Sequence, residues 1–273
     1  MTSTRDYLFA SFQQEKLPLL KPDDKFIFSC QDECMGRCCH SIRIFLDPWD
    51  VESIARFLQL STQQFIQQYT RIDFDPRYSW PYVIMRDAES SCCAFMLPDG
   101  KCSIYPVRSR NCRTYPLARA VRFTFTSDHD YITDERYFLL PRQSFCFGHK
   151  SKTEWNLQGW LADAKLAEYN EKADQYLSVM QFAVEKLKIE KWFNPALARF
   201  IFPIIFLPEV LRQKFGLTSE QITPQEFYKR RMQALKQILT DMASSWQMNA
   251  NNPDKQVLSQ MSLMQRLGQL LSG

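Results

Sequence analysis

Apolar residues recur at helical spacing through the second half of the chain, which predicts a succession of amphipathic helices from Thr153 onward. Trp160, Ala164 and Ala167 share one helical face, and Pro208 and Gly216 bracket a short helix. The most regular helix opens at the capping box 223–226, which has proline at its first helical position. One side of that helix consists of Phe227, Arg231, Leu235, Ile238, Leu239, Met242 and Trp246. We expect these stripes to form core.

The last predicted helix follows a polar linker, Asn249–Asp254. Its apolar face consists of Val257, Met261, Met264, Leu267 and Leu271. We expect this face to pack in the core as well. Alternatively, it docks in the groove of a protein partner.

The first half has a mixed pattern of short strands and short helices. Alternation in Ser41–Leu46 predicts a strand, and Asp47-Pro48 is a helix start with an aspartate N-cap. Ser61–Gln64 is a capping box for a second helix. Residues 71–90 predict a loop or irregular strand, whereas residues 121–126 and 137–140 predict paired strands. The expected fold class is therefore α+β, predominantly helical, with short β-hairpin elements in a small cysteine-rich core and a C-terminal helical region.

Composition is ordinary for a soluble globular protein, with 45% hydrophobic and 23% charged residues among 273. The N-terminus has no signal-peptide pattern, and the longest apolar run, 200–207, is too short to span a bilayer core of ~30 Å. A cytoplasmic protein without a membrane span is expected. The net charge of +4 is too small to indicate a nucleic-acid partner.

The cysteines are distributed unevenly, because all nine lie in the first 146 residues. Four of them, Cys30, Cys34, Cys38 and Cys39, fall within ten residues, and the others are Cys92, Cys93, Cys102, Cys112 and Cys146. A chain of this size can form a hydrophobic core and does not need disulfides for stability. Nine cysteines also cannot all be paired in internal disulfides, because the number is odd. Metal ligation by thiolates is therefore favoured over a disulfide framework.

Zinc sites and iron–sulfur clusters usually take four thiolates each. The spacing of Cys30, Cys34 and Cys38 suits one ligand loop, and the turn at Pro98-Asp99-Gly100 would fold Cys102 back toward Cys93. Setting aside one of the Cys92/Cys93 pair leaves eight thiols. These are enough for two four-thiolate sites, or for one cluster with spare thiols for redox work.

Basic residues surround the later cysteines, since residues 101–122 contain five arginines and one lysine but no acidic residue. Arg108 and Arg113 are candidates for binding the cofactor, because guanidinium groups would offset the −2 charge of a four-thiolate centre and donate hydrogen bonds to sulfur. Alternatively, this is a plain solvated surface or an anion-binding site. His40 and His149 are weaker ligand candidates than the thiols.

These motifs resemble the YkgJ-type cysteine-cluster proteins, a family described as chelating zinc or iron. The resemblance rests on Cys30-x3-Cys34-x3-Cys38-Cys39, on Cys93-Ala-Phe-Met, and on Cys102-Ser-Ile-Tyr, Arg108, Cys112-Arg-x-Tyr-Pro and Cys146-x-Gly. It covers about residues 30–170, which divides the chain into an N-terminal helical extension (1–29), a cysteine-cluster metal-binding domain (30–170) and a C-terminal helical region (171–273). The candidate metal ligands are Cys30, Cys34, Cys38, Cys39, Cys93, Cys102, Cys112 and Cys146. Of the neighbours Cys38 and Cys39, either only one is a ligand or the two serve two sites or two irons.

The first hypothesis is a protein that binds an iron–sulfur cluster, with a four-iron, four-sulfide (4Fe-4S) cluster favoured, or alternatively zinc, in a structural or redox role. A related branch, the flagellin lysine methylases, has a similar cysteine cluster. That likeness implies a second hypothesis, an iron–sulfur enzyme that modifies a protein or peptide held by the C-terminal helices. A metal-free interaction protein is the third. The sequence contains no motif for a catalytic chemistry other than that of a metal. Whether the chain is an enzyme therefore stays open.

Overall fold

The computed structural model describes residues 17–40, 43–86, 92–127, 130–218, 220–251 and 260–272. The helices in these segments are α1 Pro48–Phe57, α2 Thr62–Tyr69, α3 Arg110–Thr114, α4 Leu157–Asp163, α5 Leu166–Glu185, α6 Pro195–Phe206, α7 Pro208–Phe215, α8 Pro224–Asn251 and α9 Gln260–Ser272. The strands are β1 Leu19–Leu20, β2 Lys25–Ile27, β3 Phe45–Leu46, β4 Thr70–Phe74, β5 Pro81–Met85, β6 Leu117–Phe125, β7 Tyr131–Leu139 and β8 Glu154–Asn156. The predicted α+β class, mainly helical, is confirmed.

The strands form small antiparallel sheets in the orders β1-β7-β6, β2-β8 and β3-β5-β4. Residues 121–126 and 137–140 lie in neighbouring antiparallel strands, as predicted, but they are not opposite each other. Val121–Phe125 pair with Tyr131–Glu135, and Tyr137–Leu139 pair with Leu117–Arg119. The prediction of a loop or irregular strand over residues 71–90 was wrong for β4 and β5, which pair regularly from Thr70↔Met85 to Phe74↔Pro81, whereas residues 75–80 between them form a turn. Four of the five residues of β5 are buried, which the proline- and aspartate-rich composition did not indicate.

Residues 17–28 form β1 and β2, where the sequence predicted only a connection after a helix. The first sixteen residues, which include that predicted N-terminal helix, lie outside the described residues. Each short strand extends a sheet made by distant residues: β1 pairs with β7 and β2 pairs with β8. Long-range pairing of this kind leaves no local signal in the sequence.

Three predicted helix starts are confirmed by their caps. Asp47 and Asp50 form a capping box at the start of α1, and Ser61 and Gln64 form one at the start of α2. At the start of α8 the hydroxyl of Thr223 accepts a hydrogen bond from the backbone N–H of Glu226, at 3.2 Å. These side chains satisfy backbone donors that have no partner inside the helix.

A single helix through Trp160, Ala164 and Ala167 was a wrong prediction. The chain breaks after α4 because Lys165 adopts a left-handed conformation, with φ of 52°, and α5 starts at Leu166. Residues 154–156, expected to be helical, form β8. Neither glycine nor proline marks the break, so apolar spacing alone suggested continuity.

One large apolar core joins α1 and β5 to the helices of the second half. The predicted stripe of α8 is buried from Phe227 to Met242, and only Trp246 at its end is exposed. Leu267 and Leu271 of α9 are fully buried in the same core. The predicted domain boundary at residue 170 falls within α5 and stays a prediction.

A buried ion pair crosses this core between Glu52 of α1 and Arg231 of α8. Arg231 also donates from one guanidinium nitrogen to the carbonyls of Ile204 and Ile205, at 3.1 and 3.0 Å. The sequence predicted only that the stem of Arg231 would lie along the apolar face. The structure buries the guanidinium as well, so that α1, α6 and α8 are joined at one charged group.

Within the described segments, none of the helices combines the length and the apolar character that a bilayer span needs.

Candidate metal centre

The first cysteine loop consists of two short 3₁₀ turns, Asp32–Cys34 and Arg37–Cys39, joined by Met35 and Gly36. Gly36 has φ of +78°, a backbone conformation that glycine adopts without strain. A Cβ atom on Gly36 would lie 2.8 Å from the Cα of Gly100, which itself has φ of +81°. Backbone-to-backbone contact of two glycines therefore brings the loop with Cys34 and Cys38 against the loop that precedes Cys102.

The second cysteine loop is a tight hairpin, as predicted. Leu97 donates to the carbonyl of Lys101 at 2.8 Å, and Met96 pairs with Cys102 across the turn. The same hairpin pairs with the first loop, because the N–H of Cys93 donates to the carbonyl of Cys39 at 2.8 Å. Cys39, Cys93 and Cys102 thus belong to paired backbone segments.

Cys112 lies on α3, a single helical turn that the start of α1 holds in place. The backbone N–H of Arg110 donates to Asp50 at 2.8 Å, and the Arg110 guanidinium pairs with Asp47 at 2.6 Å. Burial, and then the charge of Asp47, raise the pKa of Asp50 to about 7. The acidic N-terminus of α1 therefore fixes the helix on which Cys112 lies.

Cys146 lies beside the start of the first loop. The N–H of Phe147 donates to the sulfur of Cys34 at 3.3 Å, and the N–H of Ser29 donates to the carbonyl of Gly148 at 3.1 Å. A side chain on Gly148 would overlap the ring of Phe28, so the glycine permits this close approach. The contacts place Cys146 with Cys30 and Cys34, although more than a hundred residues separate them in sequence.

All nine cysteines are free thiols, and most of them influence one another electrostatically. Burial, together with the charges of Cys38, Cys146 and Cys34, raises the pKa of Cys30. The Cys112 side chain is exposed, yet the protein around it displaces part of its solvation and raises its pKa, and Cys93 and Cys102 add to the effect. Neighbouring thiolates repel one another in water, and a bound cation would remove that repulsion.

Cys38 and Cys39 lie where these groups of thiols meet. A hydrogen bond from the Cys39 thiol lowers the pKa of Cys38 to about 7, and the same bond raises the pKa of Cys39. The charges of Cys93 and Cys102 also raise the pKa of Cys39. Both adjacent cysteines are therefore part of the cluster.

The two candidate arginines have different surroundings. Arg108 stacks on the ring of Tyr105. Loss of solvation raises the pKa of Cys30 and of Cys102, and the charge of Arg108 partly offsets this rise. Arg113 is buried, and it donates to the carbonyls of Arg108, Pro106 and Ala164. Arg113 thus holds the turn before α3, and its contact with a cofactor stays a prediction.

Tyr115 is a site residue that the sequence analysis did not single out. The hydroxyl oxygen of Tyr115 is buried and has no hydrogen-bond partner among the described residues. Burial raises the pKa of this hydroxyl, and the nearby Cys146 thiol raises it further. The only sequence signal was its place in the Cys112–Pro116 motif. A buried hydroxyl beside a thiol is a donor for a sulfur ligand.

The histidines lie at the edge of this cluster. His40 pairs with Cys92 through the backbone, and the His149 ring packs edge-on against Phe28. Among the described residues, no three Cys, His, Asp or Glu side chains are grouped tightly enough to hold a metal ion as they stand. The thiols are neighbours, and their coordination of a common centre stays a prediction.

Residues 29–146 match the model of the CxxCxxCC family, described as a "Putative zinc- or iron-chelating domain". This segment, which is less than half of the chain, is similar to that family. The match includes all nine cysteines and ends at Cys146. It confirms the predicted resemblance to the YkgJ-type cysteine-cluster proteins and supports metal binding by this segment. No solved structure matches the chain.

Proposed function

We propose that the CxxCxxCC domain binds an iron–sulfur cluster, or alternatively zinc, in a redox or structural role. The observation that supports this most is the convergence of thiols from four separate segments, 30–39, 93–102, 112 and 146. The proposed ligands are Cys30, Cys34, Cys38, Cys39, Cys93, Cys102, Cys112 and Cys146. Free thiols on this scale suit the reducing cytoplasm.

The donor set fits a thiolate-bound centre. Sulfur ligands in such centres accept hydrogen bonds that stabilise their charge. The N–H of Phe147 already donates to Cys34, and the buried Tyr115 hydroxyl lies beside Cys146. Arg108 adds a positive charge next to Cys30 and Cys102.

The number of thiols and the nearby Arg108 favour an iron–sulfur cluster over a single zinc ion. One zinc ion takes four thiolates, whereas eight cysteines are proposed as ligands. A positive charge near the sulfurs suits a redox cluster, whose potential depends on its surroundings. When bound, such a cluster would supply one-electron redox chemistry, and zinc would supply structural rigidity.

Anaerobic purification followed by absorption spectroscopy and analysis of iron, acid-labile sulfide and zinc tests this function. A brown protein with matching iron and sulfide supports the cluster. A colourless protein with stoichiometric zinc supports the alternative. If the chain binds neither metal above trace amounts, even after anaerobic reconstitution, the proposed function is refuted.

A further inference from the structure

We propose that Arg37, Lys150 and the ring of Phe147 form a docking surface for a carboxylate-rich segment of a partner protein. We call these three residues the Phe147 surface. It lies beside the first cysteine loop, and the role that it has there rests on the proposed metal-binding function. Its ability to bind carboxylates depends on its own side chains and can be measured with or without metal.

Both cations of the Phe147 surface contact the same aromatic ring. The guanidinium carbon of Arg37 lies 5.4 Å from the centroid of the Phe147 ring, and the ammonium nitrogen of Lys150 lies 4.4 Å from it. Since each distance ends at the same centroid, the two positive charges are at most about 10 Å apart, close to the Debye length at physiological salt. They repel each other, and the contact with the ring offsets this repulsion only in part, because a cation on an exposed ring gains little free energy.

Two backbone turns fix the Phe147 surface in place. The N–H of Phe147 donates to the sulfur of Cys34 at 3.3 Å, and the carbonyl of Phe147 accepts a hydrogen bond from the N–H of Lys150 at 2.8 Å. Lys150 ends the 3₁₀ turn Gly148–Lys150, and Arg37 begins the 3₁₀ turn Arg37–Cys39. Because the backbone here is already ordered, a partner that binds causes little further loss of conformational entropy.

The positive charge of the Phe147 surface is not neutralised within the described part of the chain. Arg37 and Lys150 are exposed, and neither belongs to an ion pair with another described residue. Lys25 and Lys101, which are also exposed, each pair with a carboxylate, at 2.7 and 3.2 Å. The Phe147 ring is only half-buried, and aromatic rings and arginines are enriched at protein interfaces. Carboxylates of a partner would therefore supply the charge that the chain itself does not.

Acidic residues in the same cysteine loop favour a protein partner over a nucleic acid or an anionic membrane. Asp32 and Glu33 form the start of the turn that precedes Arg37, and both are exposed. A phosphate backbone or a layer of anionic headgroups is negative throughout, so these carboxylates would repel it. A protein segment can instead place carboxylates against Arg37 and Lys150 and neutral or basic side chains against Asp32 and Glu33.

The position of the Phe147 surface connects docking to the proposed metal centre. The N–H of Phe147 contacts the sulfur of Cys34, which is one of the proposed ligands. A segment bound on the Phe147 ring would thus be held against the centre, whichever metal it contains.

Charge-neutral variants and an acidic peptide test the docking surface. The probe is a fluorescein-labelled decaglutamate peptide, and its binding is measured by fluorescence anisotropy. Arg37→Gln and Lys150→Gln should each weaken binding about two- to fivefold, the range for one exposed ion pair, and the double variant roughly tenfold. Arg77→Gln is the matched control, because Arg77 is also an exposed arginine over an aromatic ring, 5.1 Å from the centroid of Tyr78. Arg77→Gln and the charge-conserving Lys150→Arg should bind the peptide as wild type does.

Carbodiimide cross-linking of the same peptide, mapped by mass spectrometry, shows where its carboxylates dock. We expect joining to Lys150 in preference to exposed lysines of the helical half such as Lys186 and Lys188. Cross-links spread evenly over the exposed lysines, or equal affinities of wild type and the double variant, would overturn the proposal. Tighter binding of an oligodeoxynucleotide of equal charge, or of anionic vesicles, through the same two cations would also overturn it. Loss of metal from the two Gln variants without loss of peptide binding would show that the cations serve the metal centre instead.

Failure of the docking surface and failure of the proposed function give different results. A wild-type chain that binds metal but does not bind the peptide at Lys150 refutes the docking surface alone. A chain that binds the peptide at Lys150 but no metal refutes the proposed function and leaves the docking surface intact.

Discussion

Replacing Gly100 with alanine tests the close approach that joins the two cysteine loops. Gly100 has φ of +81°, and a Cβ atom there would lie 2.7 Å from the carbonyl oxygen of Met35. That oxygen belongs to the backbone, so it cannot rotate away. Left-handed conformation costs a residue with a Cβ roughly 1–2 kcal/mol. Forcing the loops apart adds about 1–3 kcal/mol, as other overpacked sites do.

Gly216→Ala is the matched control, because it shares the backbone strain without the contact. Gly216 has φ of +65°, and a Cβ atom there would meet nothing within 4 Å. Its expected cost is the roughly 1–2 kcal/mol of conformational strain alone.

Urea denaturation under reducing conditions, with a chelator present, measures the free energy of unfolding of both variants. Metal release from the loaded proteins to the chelator is the second readout. Gly100→Ala should lose about 1–3 kcal/mol more than Gly216→Ala and release metal faster than wild type. Gly216→Ala should release metal at the wild-type rate. Equal losses of stability and equal release rates would show that the two loops do not touch as described.

Three other predictions concern α1 and the core. Glu52→Ala should lower the free energy of unfolding by about 3–5 kcal/mol, because it leaves the buried charge of Arg231 unpaired. In urea denaturation, the double variant with Arg231→Met should recover much of the lost stability. A double variant as unstable as Glu52→Ala would contradict the pairing. The pKa of Asp50 is raised from 3.8 to about 7 on folding, so its contribution to stability is complete below about pH 3.8 and is lost as pH rises to about 7. Between these pH values, the free energy of unfolding should therefore decrease less steeply in Asp50→Asn than in wild type. The same slope in both proteins would contradict the raised pKa of Asp50. Metal removal should leave the far-ultraviolet circular dichroism nearly unchanged, because the large apolar core contains few cysteines. Loss of most of the helical signal would instead show that the chain folds only with metal bound, as zinc fingers do.

Elements with local signals could be predicted from the sequence. Asp47-Pro48 and Ser61–Gln64 cap their helices as expected, and the turn at 98–100 folds Cys102 back along the hairpin. In each case the deciding hydrogen bond joins residues a few positions apart. The chemistry of the candidate site was predictable for the same reason, because thiol spacing and basic composition are read directly along the chain.

Features that depend on distant partners could not be predicted. Arg231 binds Glu52 across 179 positions, and no pattern near either residue indicates the other. Arg113 donates hydrogen bonds to the carbonyls of Arg108 and Ala164, a structural role that no pattern near it in the sequence indicates. The grouping of Cys146 with Cys30 depends on the backbone hydrogen bonds that Phe28 and Ser29 donate to Thr153 and Gly148, after Cys146. Sequence spacing predicted that thiols would meet without showing which ones.

α1 connects the cysteine loops to the helical core through two different sides. Asp50 contacts α3, which bears Cys112, whereas Glu52 contacts Arg231 of α8. Residues two positions apart on a helix do not face the same way, so α1 lies between its partners as a rigid spacer. The position of Cys112 is therefore set by the core, while the loops with Cys34 and Cys102 are held mainly by glycine contacts and hairpin bonds. A change at the metal centre should consequently move these loops against a fixed α3, and hydrogen exchange should increase at residues 30–40 and 93–102 before it increases in α1.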